Sequence, residues 1–104
     1  MTLNQRGTIC DCNNTSEALF RYHRSELIER QVSLLLPQLA GLELIKNGQV
    51  NPRLGYLCRI GRRFQAMTQH GENFACRLYL NLLDNKQHGD LSLIVCPAEK
   101  LAGD

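Results

Sequence analysis

No stretch of this chain approaches the roughly 20 consecutive apolar residues that span a bilayer. The opening Met1 to Arg6 carries no apolar signal-like run either. These absences predict a cytoplasmic segment with no membrane contact of its own, whose parent protein can be anchored elsewhere. The Asn-x-Thr/Ser sequons at Asn13 and Asn14 then mean nothing, because glycosylation needs the secretory route. An excess of one charge is missing too. The 12 basic and 10 acidic residues leave a net charge of +2, which predicts no nucleic acid as partner. Arg53, Arg59, Arg62 and Arg63 form a local basic cluster, read as a solvated face.

A disulfide framework is also lacking. The five cysteines, at 10, 12, 58, 76 and 96, are odd in number and widely spaced. Cys10 and Cys12 are two apart on an expected strand and so should share a face. No second Cys or Cys/His pair follows at zinc spacing, so no metal is expected. The thiols read as small buried apolar groups. Catalytic signatures are equally scarce. There is no Gly-rich phosphate loop, no suggestive carboxylate pair and no nucleophile motif with a partner base. A small α+β hydrolase or isomerase would need an acid or base aimed into an apolar pocket. Asp11 is the residue that reading would use.

What is present suits one domain over 1–104. Leu3 to Cys12 reads as a hairpin turning at Asn4-Gln5-Arg6-Gly7, its first strand short or truncated. A helix is predicted from Asn14, with Asn14 as cap, Glu17 completing a capping box, and Ala18, Leu19 and Tyr22 on its apolar face. A second short helix follows Ser25, with Glu26 in its first turn and Leu27 and Ile28 behind it. One helical turn at Ser33–Leu36 should stop near Pro37. Gly41 to Gly48 fits either a short strand or a helical turn. Asn51-Pro52 starts another helix. It carries Leu54, Leu57 and Cys58 on one face and ends at Gly61.

The C-terminal part alternates with period two, the mark of strands with one buried face. Phe64, Ala66 and Thr68 form one set. Phe74, Cys76, Leu78, Leu80 and Leu82 form the next, after a turn at Gln69-His70-Gly71. A polar turn from Asp84 to Asp90 leads to a third strand, Leu91–Cys96, ended by Pro97. The tail 97–104 follows. Two strands, several helices and a three-strand meander make an α+β layout.

This order, with particular residues in it, resembles the PAS family of sensor and interaction modules. In that family a strand leads to an Asn, then an apolar pair with Gly-Tyr. Here Asn13, Leu19-Phe20 and Tyr22 hold those places. Glu26-Leu27, Leu36-Pro37 and the turn residues His70-Gly71 fit later family positions. Arg21 departs from the pattern, standing where Gly is usual, and Glu29 or Arg30 stands where another Gly is common.

The resemblance implies a five-stranded antiparallel sheet with several short helices packed on one face. It implies a non-catalytic sensory module of a larger bacterial signalling protein, regulating an attached histidine kinase, diguanylate cyclase or transcription factor. The parent would belong to signal transduction of the two-component kind, and the module would sense a small molecule or a protein partner. A homodimer is implied, through terminal helices or the outer sheet face, where Tyr79, Leu83 and Met67 are exposed candidates. The inner face would line any ligand pocket: Leu57, Phe64, Phe74, Cys76, Leu78 and Leu80. Asn13 is expected to fix the strand-to-helix turn through its side chain. The alternative is a cofactor-free association module of the same fold. Flavin is not expected, because Leu57-Cys58-Arg59-Ile60 lacks the Asn before and the Phe-Leu after the Cys-Arg of flavin-binding members. Haem is not expected, because His23, His70 and His88 lie in loops or at helix edges.

Overall fold

The computed structural model describes residues 1–83 and 90–98. The polar turn expected from Asp84, with His88, and the tail beyond Ala98 lie largely outside the described residues.

Strands β1 (Thr2–Leu3) and β2 (Ile9–Asp11) form the N-terminal hairpin. The Asn4 carboxamide accepts the backbone N–H groups of Arg6 and Thr8, and Gly7 turns with a φ of 79°. Leu3 pairs with Ile9 and Thr2 with Asp11, so Cys10 is bulged out of register. The bulge separates the two thiols that strict alternation would put on one face. Cys12 joins Ile9 in the core, while Cys10 stays half-buried.

Helix α1 spans Asn14–Phe20. Its cap is Asn13 rather than Asn14: Asn13 Oδ1 accepts the Ser16 N–H at 2.9 Å. Glu17 thus falls one position past a capping box, and its carboxylate accepts the Arg24 backbone N–H instead. Phe20 is the fully buried residue of this helix. Ala18 is exposed, and Leu19 and Tyr22 are half-buried, so the apolar face is rotated from the expected one. Arg21 ends α1 with a left-handed φ of 61°. Helix α2 (Arg24–Leu27) includes Ser25 rather than following it. The Glu26 carboxylate accepts the His23 N–H at 2.9 Å and so secures its start. Glu29, at φ 71°, then turns the chain back onto β2. Its N–H donates to the Ile9 carbonyl, and the Ile9 N–H donates to the Arg30 carbonyl.

Two 3₁₀ turns follow, Val32–Leu34 and Pro37–Leu39. Pro37 opens the second rather than merely stopping the first, since its fixed φ suits a first helical position. The ambiguous segment is a hairpin of β3 (Ile45–Lys46) and β4 (Gln49–Val50). Its two-residue loop is Asn47-Gly48, with φ of 55° and 76°, the signs a type I′ turn requires. Helix α3 (Pro52–Arg59) starts where Asn51 accepts the Arg53 N–H. It ends in a Schellman motif at Gly61, with Arg62 N–H on Leu57 O and Gly61 N–H on Cys58 O.

Strands β5 (Phe64–Met67), β6 (Asn73–Leu82) and β7 (Leu91–Pro97) form an antiparallel meander. The first hairpin joins it through β1, with Thr2 opposite Ser92 and Leu3 opposite Leu91. The result is one five-stranded antiparallel sheet in the order β2-β1-β7-β6-β5. Its inward residues Leu3, Ile9, Phe64, Ala66, Cys76, Leu78, Leu91 and Leu93 are buried. They share one cluster with Phe20, Leu27, Val32, Leu35, Leu36, Leu39 and Leu54 from the connecting segments. Each such Leu or Phe contributes about 1.5–3 kcal/mol by leaving water. Gln65, Arg77, Tyr79 and Ile94 point the other way and are exposed, so the helices roof one face only. Leu82 shares the parity of the inner face yet is exposed.

Candidate functional site

Helix α3 lies between two grooves, and some of the sequence-derived candidates line them. The first exists because β5 is short. It pairs with β6 only from Asn73 to Cys76, leaving the rest of β6 without a strand on that side. The end of α3 and Val50 of β4 lie along this free edge. Between them is an open groove of about 630 Å³, whose walls include Cys58, Arg59 and Ile60 on one side and Arg77, Tyr79, Leu80 and Asn81 on the other. The second groove, of about 420 Å³, lies between α3, the Pro37–Leu39 turn and β5. Leu42, Leu54, Leu57 and Phe64 make its apolar walls, with Arg53 and Arg62 also lining it.

The six residues read as one pocket lining are distributed differently. Leu57 and Phe64 line the second groove, and Leu80 lines the first. Phe74, Cys76 and Leu78 line neither. Phe74 packs its ring 5.7 Å from that of Phe20. Cys76 and Leu78 are fully buried in the core, and the Cys76 Sγ lies 3.5 Å from the Phe64 carbonyl oxygen. Burial, with a smaller effect from Cys96, pushes the Cys76 thiol up to about 11. Burial also pushes the Cys58 and Cys12 thiols above their ordinary value. All five cysteines are free thiols.

The basic cluster is divided by α3. Arg59 faces the first groove, Arg53 and Arg62 the second, and Arg63 lines neither. Sequence reading left out Arg77, which β6 brings into the same groove as Arg59. Only the docking of α3 along the free edge of β6 puts these two together.

Asp11 is not aimed into an apolar pocket. Its carboxylate is half-exposed and receives the Arg24 guanidinium at 2.8 Å. His23 and His70 border one shallow depression beside α1, next to Glu17 and Tyr22. Helix α3 itself carries no histidine. Among the described residues no group of three or more His, Cys, Asp or Glu side chains could hold a metal, and no helix is long and apolar enough to cross a membrane.

The outer sheet face has its own apolar centre. Tyr79 and Ile94 are direct cross-strand partners, 46% and 50% exposed. Met67 and Leu83, expected beside Tyr79 as exposed residues, are half-buried. Ile94 shares the parity of Ser92 in β7, but with Leu93, Ile94 and Val95 all apolar in succession the alternation is weak. Compared with protein-family models and with curated proteins, the chain matches none.

Proposed function

We propose that this chain is a non-catalytic regulatory module of the PAS type. It senses a small molecule or a protein partner, associates with a second copy of itself, and biases an attached effector such as a histidine kinase, diguanylate cyclase or transcription factor. The observation that carries this reading is the sheet order β2-β1-β7-β6-β5, in which the N-terminal hairpin sits beside the last strand and the helices roof one face. Two backbone details support it. Arg21 stands where the family usually has glycine, and Glu29 is one of the two residues, with Arg30, at its next common glycine; Arg21 and Glu29 both hold the left-handed φ that glycine favours. Asn13, at the family's Asn position, caps the first helix.

The mechanism is a shift between associated arrangements of the sheet. A ligand or partner that prefers one arrangement changes how two copies present their effectors. The exposed Tyr79–Ile94 pair supplies an apolar centre for that contact.

A second reading is a cofactor-free association module of the same fold. The filling of the sheet's inner face by Phe20, Cys76, Leu78, Leu91 and Leu93 favours it. Thermal unfolding against a small-molecule library separates the two, because a ligand that binds the native state must raise Tm. At least one saturable rise is expected of the sensor. No rise with any compound, together with concentration-dependent association, would select the association module. To test the regulatory role itself, the chain would replace the sensory module of a PAS-regulated histidine kinase. Autophosphorylation that responds to Ile94→Glu is expected. A kinase equally active with the wild-type and variant modules would contradict it.

A further inference from the structure

We infer that the groove between the end of α3 and the free edge of β6 is a binding site for a small oxyanion with an apolar body. Two guanidinium groups from different elements enter it: Arg59 from the last turn of α3 and Arg77 from β6. Glycines lie beside both. Arg59 Nη1 lies 3.5 Å from where a Cβ on Gly55 would stand, and Arg77 Nε lies 3.9 Å from where one on Gly61 would stand. Gly55 sits inside a helix, where glycine is less favourable than alanine. An alanine would meet only ordinary contacts there, so packing does not demand the glycine. What its absent side chain leaves open is room beside the Arg59 guanidinium.

Among the described residues neither arginine has an acidic partner. Among the described residues the ion pairs are Arg21–Glu72 and Arg24–Asp11, and neither the Arg59 nor the Arg77 guanidinium donates a hydrogen bond. Among the described residues no carboxylate lines the groove. From Asn47 to Leu83 the chain has five arginines and one carboxylate, Glu72, which is engaged with Arg21. Arg59 and Arg77 bring two positive charges to the groove, and a cleft concentrates their field. Guanidinium forks match the paired oxygens of a phosphate or carboxylate. Ile60, Leu80 and the Tyr79 ring offer apolar surface beside that charge, and Asn81 adds a neutral amide. The volume, about 630 Å³, lies in the range of small-molecule sites. This site does not require the outer face to self-associate. Tyr79 does belong to both surfaces, so an occupied groove would bias association wherever it occurs.

The test is an NMR titration of the ¹⁵N-labelled full chain with phenyl phosphate, benzoate, inorganic phosphate and phenol. Saturable shifts are expected at the amides of Arg59–Gly61 and Arg77–Asn81 with an aromatic anion, and none with phenol. Phenyl phosphate against benzoate decides whether phosphate or carboxylate is preferred. Inorganic phosphate measures the contribution of the apolar body. Arg59→Gln and Arg77→Gln should each weaken binding at least about ten-fold. Arg63→Gln, outside both grooves, should leave it unchanged. If either glutamine variant fails to fold, the corresponding lysine variant keeps the charge and stem, and it should still bind more weakly than arginine. Shifts that never saturate, shifts centred on Arg53 and Arg62, or an Arg63→Gln loss equal to that of Arg77→Gln would overturn the site and leave only a diffuse positive field.

Discussion

Tyr79 on β6 and Ile94 on β7 stand directly opposite one another on the face the helices leave bare. One residue along from Tyr79, Leu78 points the other way and is 1% exposed. Adjacent positions on one strand therefore predict opposite sensitivities. Leu78→Ala should cost about 2–5 kcal/mol, because it leaves a cavity under the helical roof. Tyr79→Ser or Ile94→Ser should change the stability of the single copy by less than about 1 kcal/mol. Urea unfolding at low protein concentration measures both. Equal or reversed costs would contradict this assignment of the two faces.

Arg21 and Glu29 hold a conformation in which side chains are disfavoured. Glu29→Gly should stabilise the fold by about 1 kcal/mol, since glycine reaches that φ without the Cβ clash. Arg21→Gly should gain slightly less, losing an exposed ion pair with Glu72 that is worth little. Urea midpoints compared with wild type give the sign. Destabilisation by Glu29→Gly would show that the side chain contributes more than the backbone strain removes.

Stability should depend on pH at both ends. The folded Cys76 thiol titrates above its unfolded value of 9.0, at about 11. Its contribution is complete below about pH 9 and is lost as the pH rises toward 11. Glu26 is shifted the other way, chiefly because its carboxylate accepts the His23 N–H. That contribution is present above its ordinary value of 4.5 and is lost as the pH falls through the lower folded value. Cys76→Ala should flatten the alkaline limb of a plot of Tm against pH, and Glu26→Gln the acid limb. An unchanged alkaline limb in Cys76→Ala would assign that loss to other groups.

Thiol chemistry separates the cysteines by place. Cys12 and Cys76 are buried, while Cys10 and Cys96 are half-buried. In the native protein, iodoacetamide at neutral pH should label Cys10 and Cys96 well before Cys76, as read by mass spectrometry of the peptides. Early labelling of Cys76 would place the inner sheet face in contact with water.

Much of the fold was legible because its signals are local. The alternation from Phe64 to Leu80 reports a strand directly, since side chains repeat every two residues. Asn51-Pro52 marks a helix start through a cap and a preset φ. The Asn47-Gly48 turn was equally local, but its strands are two residues long and leave no alternation to read. Other features were set by distant partners. Whether Asn13 or Asn14 caps α1 depends on where β2 lets go. The bulge at Cys10 depends on how β1 pairs. Arg59 and Arg77 share a groove only because β5 stops short of the rest of β6.

Sedimentation equilibrium of the wild-type chain, run from about 1 µM to about 1 mM, bears most directly on the regulatory reading. The prediction is reversible dimerisation that Ile94→Glu weakens by at least about ten-fold while far-ultraviolet circular dichroism stays unchanged. A wild-type chain that sediments as a single copy throughout that range, or a dimer indifferent to Ile94→Glu, would contradict the outer sheet face as the surface through which this module works.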